Sequence, residues 1–168
     1  MSQAKAQQPE HVGVNREVIG ELRALKRFEE ADLGCVALLS RAPDDVWALT
    51  AYGDNARASG DRNTALTRYQ SGLTRHPENV TLLVRIGEEL RALGRLDEAL
   101  SHFASLPAHL RRDFLINLHL AYCHRALGDR VAALSYFEQV TCSPEMAPFF
   151  GRVRFARGRT NEAQQVQR

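Results

Sequence analysis

The sequence predicts an all-α protein, a right-handed α-solenoid of stacked helix-turn-helix units. Three observations predict it. A nine-residue phrase recurs as ALKRFEEAD from Ala24, ASGDRNTAL from Ala58, ALGRLDEAL from Ala92 and ALGDRVAAL from Ala126, each start 34 residues after the last. Small and turn-forming residues keep the same step in the series Ala31, Ala65, Ala99, Ala133 and Gly60, Gly94, Gly128. No segment reads as a strand. A period of roughly 20–50 residues marks a repeat array, in which no unit buries its apolar face alone and neighbours stack into one core.

The second unit sets the plan. Asp45 is placed to cap a first helix, VWALTAYGDNARAS, and Gly60, free to take positive φ, ends it. Asp61 and Asn63 open a second helix, TALTRYQSGLTR, and Pro77 stops it because the residue before proline avoids the α region. The third unit repeats this from Val80, with Asn79 at the cap and Gly94 and Asp97 at the turn. The fourth begins at Phe114 behind Asp113. The first departs most, with Ile19 and Lys26 at the glycine positions. Pro107 falls where the second helix of unit three would still run. That helix is therefore expected to stop near Ser105, leaving PAHLRRD as a loop or short extra turn.

Gly53, Gly87 and Ala121 sit mid-helix, where glycine costs up to about 1 kcal/mol against alanine unless another backbone or ring must approach closely. Tyr69, Phe103 and Phe137 lie one turn beyond the periodic alanines and are expected to fill the space between units. Cys35 takes that place in unit one, as a buried core residue. Residues 1–11 read as a disordered lead-in. Residues 12–168 read as a single domain with repeats at about 12–45, 46–79, 80–113 and 114–147, and a partial fifth at 148–168 where Gly151, Gly158 and Ala163 restore the spacing.

The 34-residue step, with Gly–x6–Gly–x4–Ala and a later proline, resembles the tetratricopeptide repeat family from Val12 onward. The resemblance implies first helices lining a concave groove that holds a partner's peptide. It also implies a non-enzymatic interaction module such as an adaptor, scaffold or chaperone, of the kind found among bacterial adaptors and secretion chaperones. The carboxylate-clamp type is not indicated, because Gly20, Ala51 and Thr81 stand where polar clamp residues belong.

Composition excludes several other classes. A net charge of +2 does not argue for nucleic acid. The basic run GRVRFARGR fits a solvent-facing helix as well as a phosphate contact. No stretch approaches the roughly 18 apolar residues of a membrane span, and MSQAKAQQPEH has no apolar run of a secretory signal. Cys35, Cys123 and Cys142 show no metal-like pairing, so a reduced, cytoplasmic chain is expected. His119, Cys123 and His124 share one stretch of helix but lack ligands from elsewhere, so neither a metal nor a cofactor is expected. No catalytic constellation is evident.

The most distinctive polar feature is a ladder, Arg23, Arg57, Arg91 and Arg125. On the groove these guanidiniums would meet the carboxylates of an acidic peptide. A helix-end position alone also accounts for them, since a cation there favours the dipole. Asp54 and Glu88 stand three residues before Arg57 and Arg91, the spacing of local ion pairs. Arg23 and Arg125 have no such acid and are the better candidates for an external anion. Trp47, Asp54, Arg85, Glu88, His119 and Tyr122 share the same face and complete the expected partner-binding set. Trp47 equally suits the joint between units one and two. Two other functions stay open: a recognition segment of a larger enzyme such as a sulfotransferase or glycosyltransferase, and self-association near Phe149, Phe150 and Phe155.

Overall fold

The computed structural model describes residues 9–141, with side chains from residue 15 to residue 140. The partial fifth repeat, Cys142 and the expected self-association residues lie outside the described residues. Among those described, helices come in pairs: α1 (Pro9–Ala24) with α2 (Phe28–Arg41), α3 (Val46–Ser59) with α4 (Arg62–Arg75), α5 (Val80–Ala92) with α6 (Leu96–Ala104), and α7 (Phe114–Ala126) with α8 (Arg130–Thr141). Helix α1 starts at Pro9, inside the stretch expected as a lead-in. Proline is favoured in the first helical turn, where its missing N–H has no partner to lose.

Several helix starts are capped by a side chain. The carboxylate of Asp45 accepts from the Ala48 N–H at 3.1 Å, that of Asp61 from Thr64 at 3.0 Å, and that of Asp113 from Leu115 at 2.8 Å. The Asn79 side chain accepts from Leu82 at 3.0 Å. Each satisfies one of the orphan donors of a first turn. The recurring phrase is the turn between paired helices. Gly60 takes φ of 93° there, and in unit one Lys26 takes the same left-handed conformation at 59°. As Pro107 requires, α6 stops at Ala104, and a 3-10 turn at Leu110–Arg112 bridges to α7.

The chain divides into two compact units, Met1–Ala99 and Leu100–Arg168. In the first, Ile19, Ala31, Cys35, Leu38, Ala48 and Ala51 form a buried cluster joining α1, α2 and α3. Two joints of this unit are filled in opposite ways. Between α3 and α4 the small residue is Gly53 and the large one is Tyr69, fully buried; a Cβ added at Gly53 would overlap the Tyr69 ring. Between α1 and α2 the first helix carries the bulk, as Ile19, while Cys35 stands at the Tyr69 position and Gly34 leaves room, since a Cβ there would lie 2.7 Å from Ile19 Cγ1. Ile19 at a glycine position is thus compensated rather than frayed. In the second unit Ile116, Leu120, Ala121 and Cys123 of α7 are buried, as are Ala133 and Val140 of α8.

Candidate functional site

The ladder arginines Arg23, Arg57, Arg91 and Arg125 each occupy the last turn of a first helix, where the dipole favours a cation. In the first unit they are not a row of uncompensated charges. Asp54 accepts from the Tyr69 hydroxyl at 2.6 Å and lies 3.4 Å from Arg85 Nε and 3.8 Å from an Arg23 terminal nitrogen. Glu88 accepts from Arg57 at 3.0 Å and from Arg85 at 2.9 Å. Glu89, its side chain 1% exposed, accepts from Arg62 at 3.0 Å and lies 4.0 Å from Arg57 Nε. The result is one network of alternating sign, Arg23–Asp54–Arg85–Glu88–Arg57–Glu89–Arg62.

This corrects the expected pairing. Asp54 does not serve Arg57, three residues on; it meets Arg23 of the preceding repeat and Arg85 of the following one. Arg57 instead reaches Glu88 across 31 residues, and Arg23 to Asp54 repeats that step one repeat earlier. Arg23 thus faces a carboxylate of this chain, Asp54, at 3.8 Å. The step of 31 is three residues short of the repeat, so each of these arginines meets a carboxylate one turn earlier in the next first helix, in keeping with the lean of helical side chains toward the N-terminus. Burial raises the Tyr69 pKa, and hydrogen bonding to Asp54 raises it further. Burial alone would lower the Arg85 pKa, but Glu88 and Asp54 outweigh it and hold it above the ordinary value.

A second ion pair had a legible signal that periodicity arguments passed over. Asp32 stands where units two to four have Leu66, Leu100 and Leu134. It takes a bidentate contact from Arg68 at 3.0 and 2.6 Å and a hydrogen bond from Asn55 Nδ2 at 3.0 Å. The Arg68 guanidinium also lies 3.6 Å from the centroid of the Tyr52 ring. It borders a half-open cavity of about 360 Å³ with a mainly apolar floor of Leu39, Pro43, Leu49 and Tyr52. Arg75 borders the same cavity and holds Asp44 at 3.0 Å, so both bordering guanidiniums are already matched by carboxylates.

In the second unit the face is aromatic. His119 stacks on Phe103 with centroids 6.4 Å apart, Tyr122 meets His119 edge-on at 6.0 Å, and Phe137 meets Tyr122 edge-on at 5.6 Å. Arg125, exposed, lies 5.0 Å over the Tyr122 ring. Cys123 is buried and His124 stacks on Tyr136 at 5.3 Å. Among the described residues no group of three His, Cys, Asp or Glu side chains is arranged to hold a metal ion, and no helix is long and apolar enough to cross a membrane.

No protein-family model matches the sequence, and no curated protein does. Solved structures match over most of the chain. A crystal structure of MamA is 15% identical with a TM-score of 0.63, covering 89% of this chain and 85% of that one. A thermophilic TPR protein of Thermus thermophilus is 22% identical with a TM-score of 0.61, covering 90% and 85%. PilF of Pseudomonas aeruginosa is 16% identical with a TM-score of 0.55, covering 83% and 65%.

The chain has the tetratricopeptide-repeat fold.

Within that tetratricopeptide-repeat fold the residues expected to bind a partner fall into separate groups. Arg23, Asp54, Arg57, Arg85 and Glu88 are drawn into the charge network of the first unit. Trp47 is not among them: it packs against the cluster joining α1 to α3, under the Arg16 guanidinium at 5.2 Å, with Arg16 also bonded to Asp45 at 2.7 Å. Arg91 is exposed at the end of α5. His119, Tyr122 and Arg125 lie together in the second unit, with His119 buried and the other two reaching solvent.

Proposed function

We propose that this chain is a non-enzymatic protein-binding module, an adaptor, scaffold or chaperone, which receives a partner segment on the outward face of its first helices. One observation carries the reading. The first helices α3, α5 and α7 each bury one face, at Ala48, Leu82 and Ile116, while the face bearing Asp54, Glu88 and Tyr122 stays partly open to solvent at the same 34-residue step. A core needs only the first set; a partly exposed, polar and aromatic second set is the composition of a binding anchor. The internal ion pairs divide that surface by character. The Arg23-to-Glu89 network offers alternating charge held in place, which suits a segment that itself alternates. The Tyr122–Arg125 pair, on its His119 and Phe137 support, is the place for an acidic side chain. Buried free thiols at Cys35 and Cys123 favour a reducing, cytoplasmic setting.

The test is site-specific photo-crosslinking in the source cell. A crosslinker at position 57, 88, 122 or 125 is expected to trap one partner, and the same crosslinker at exposed second-helix positions 67 and 70 is expected not to. Equal trapping from both sets would remove the first-helix face as the binding surface.

A further inference from the structure

Helix α1 carries Glu17, Val18 and Glu21 along one face, with Leu25 in the turn just past its end. Val18 is 49% exposed and Leu25 66%. In later repeats the centre of this face is closed. Val18 corresponds to Tyr52, half-buried, and to Ile86, 2% exposed; Glu21 corresponds to Asn55 and Glu89, both at 0%. There the second helix of the preceding repeat supplies the cover: Asn55 bonds to Asp32 of α2, and Glu89 takes Arg62 of α4. The first pair of helices thus presents a stacking face with no described element against it. Glu17 and Glu21 make no ion pair with any described residue, so the face combines apolar area with two uncompensated carboxylates.

We propose that this face binds residues 152–157, RVRFAR, of a second copy of the chain. The match is one of chemistry. The face alternates carboxylate and apolar groups; the segment alternates Arg152, Val153, Arg154 and Phe155, and no acid occurs from Met146 to Asn161. Within the chain the equivalent of Glu21 already takes an arginine, Arg62 on Glu89, so a cation at that position follows the protein's own precedent. Residues 1–8, MSQAKAQQ, have one lysine and no such alternation. Face and segment belong to different compact units of the chain, and we take them from two copies, an assignment that the dependence of association on concentration decides.

Sedimentation velocity of the whole chain, from low micromolar to several hundred micromolar, is expected to show reversible association that weakens with salt. Glu17→Arg/Glu21→Arg, on an exposed surface that leaves helicity unchanged, is expected to weaken association roughly ten-fold, about the contribution of two partly exposed ion pairs. Arg152→Glu/Arg154→Glu is expected to do the same, and a chain carrying both reversals to recover association. A fluorescent peptide of residues 150–159 is expected to bind the wild-type chain and to lose affinity for the Glu17→Arg/Glu21→Arg variant. A chain monomeric at every concentration overturns the proposal, including when the peptide binds, since that outcome assigns the cover to the chain's own segment. Association that neither reversal changes overturns it as well.

Discussion

The opposite filling of the first two joints makes a quantitative prediction. Tyr69 is fully buried and meets Gly53, whereas Cys35 and Ile19 at the equivalent positions exchange the large and small partners. Tyr69→Cys alone removes most of a buried ring and is expected to cost about 3–5 kcal/mol, as aromatic truncations do. Gly53→Ile alone drives a branched side chain into that ring and is expected to cost about 3 kcal/mol, the upper end of overpacking. The double variant rebuilds the pair that the first joint uses. The introduced isoleucine would occupy the volume the ring vacates, and the helix gains about 0.5 kcal/mol from losing a mid-helix glycine. It is therefore expected to be more stable than the sum predicts by about 2 kcal/mol, within the range of contacting pairs. Urea unfolding followed by Trp47, the single tryptophan and itself in α3, reads this unit directly. Additivity within about 0.5 kcal/mol would mean that the two sites do not share one volume, and the reasoning would be refuted.

Four further outcomes are expected. Lys26→Gly relieves a left-handed residue and is expected to raise stability by about 0.5–1 kcal/mol after the unfolded-state entropy of glycine is set against it; a fall in the urea midpoint would contradict this. Gly60→Ala, where an added Cβ meets nothing within 4 Å, is expected to lower the urea midpoint through φ alone, and an unchanged midpoint would show that the turn relaxes to accept it. Partial burial works against the Asp45 charge, yet the Ala48 N–H and Arg16 outweigh it and hold its pKa below the ordinary value. Its contribution is thus present above the unfolded pKa of about 3.9 and lost as pH falls through the folded value. Asp45→Asn keeps the cap but not the charge, so its midpoint should trail wild type at neutral pH and converge with it in acid; a gap independent of pH would count against the Arg16 contact. Burial pushes the Cys35 thiol up to about 11. In a Cys123→Ala/Cys142→Ala background it should resist an aromatic disulfide reagent at mildly alkaline pH until urea is added, and rapid labelling of the folded chain would show that the site is open.

The repeat period, the helix pairs, their caps, the stop imposed by Pro107 and the buried role of Cys35 were all legible in the sequence. Each follows from local chemistry: a side-chain oxygen near a first-turn N–H, a residue free to take positive φ, a ring without an N–H. That residues one turn apart on a first helix share a side was also legible, from helical geometry alone. Which charge meets which was not. Asp54 three residues before Arg57 satisfies every helical rule for a local pair, yet it joins Arg23 and Arg85, since stacking brings in partners that no single helix contains. The same holds for Asp32, whose presence at a leucine position marked an exception without naming Arg68 as its partner. Periodicity therefore determined the kind of architecture and its surface positions. The pairing of charges across neighbouring repeats, and with it which arginines are already matched, was decided only when the helices packed, because ion pairs between half-buried groups depend on distances that sequence spacing does not contain.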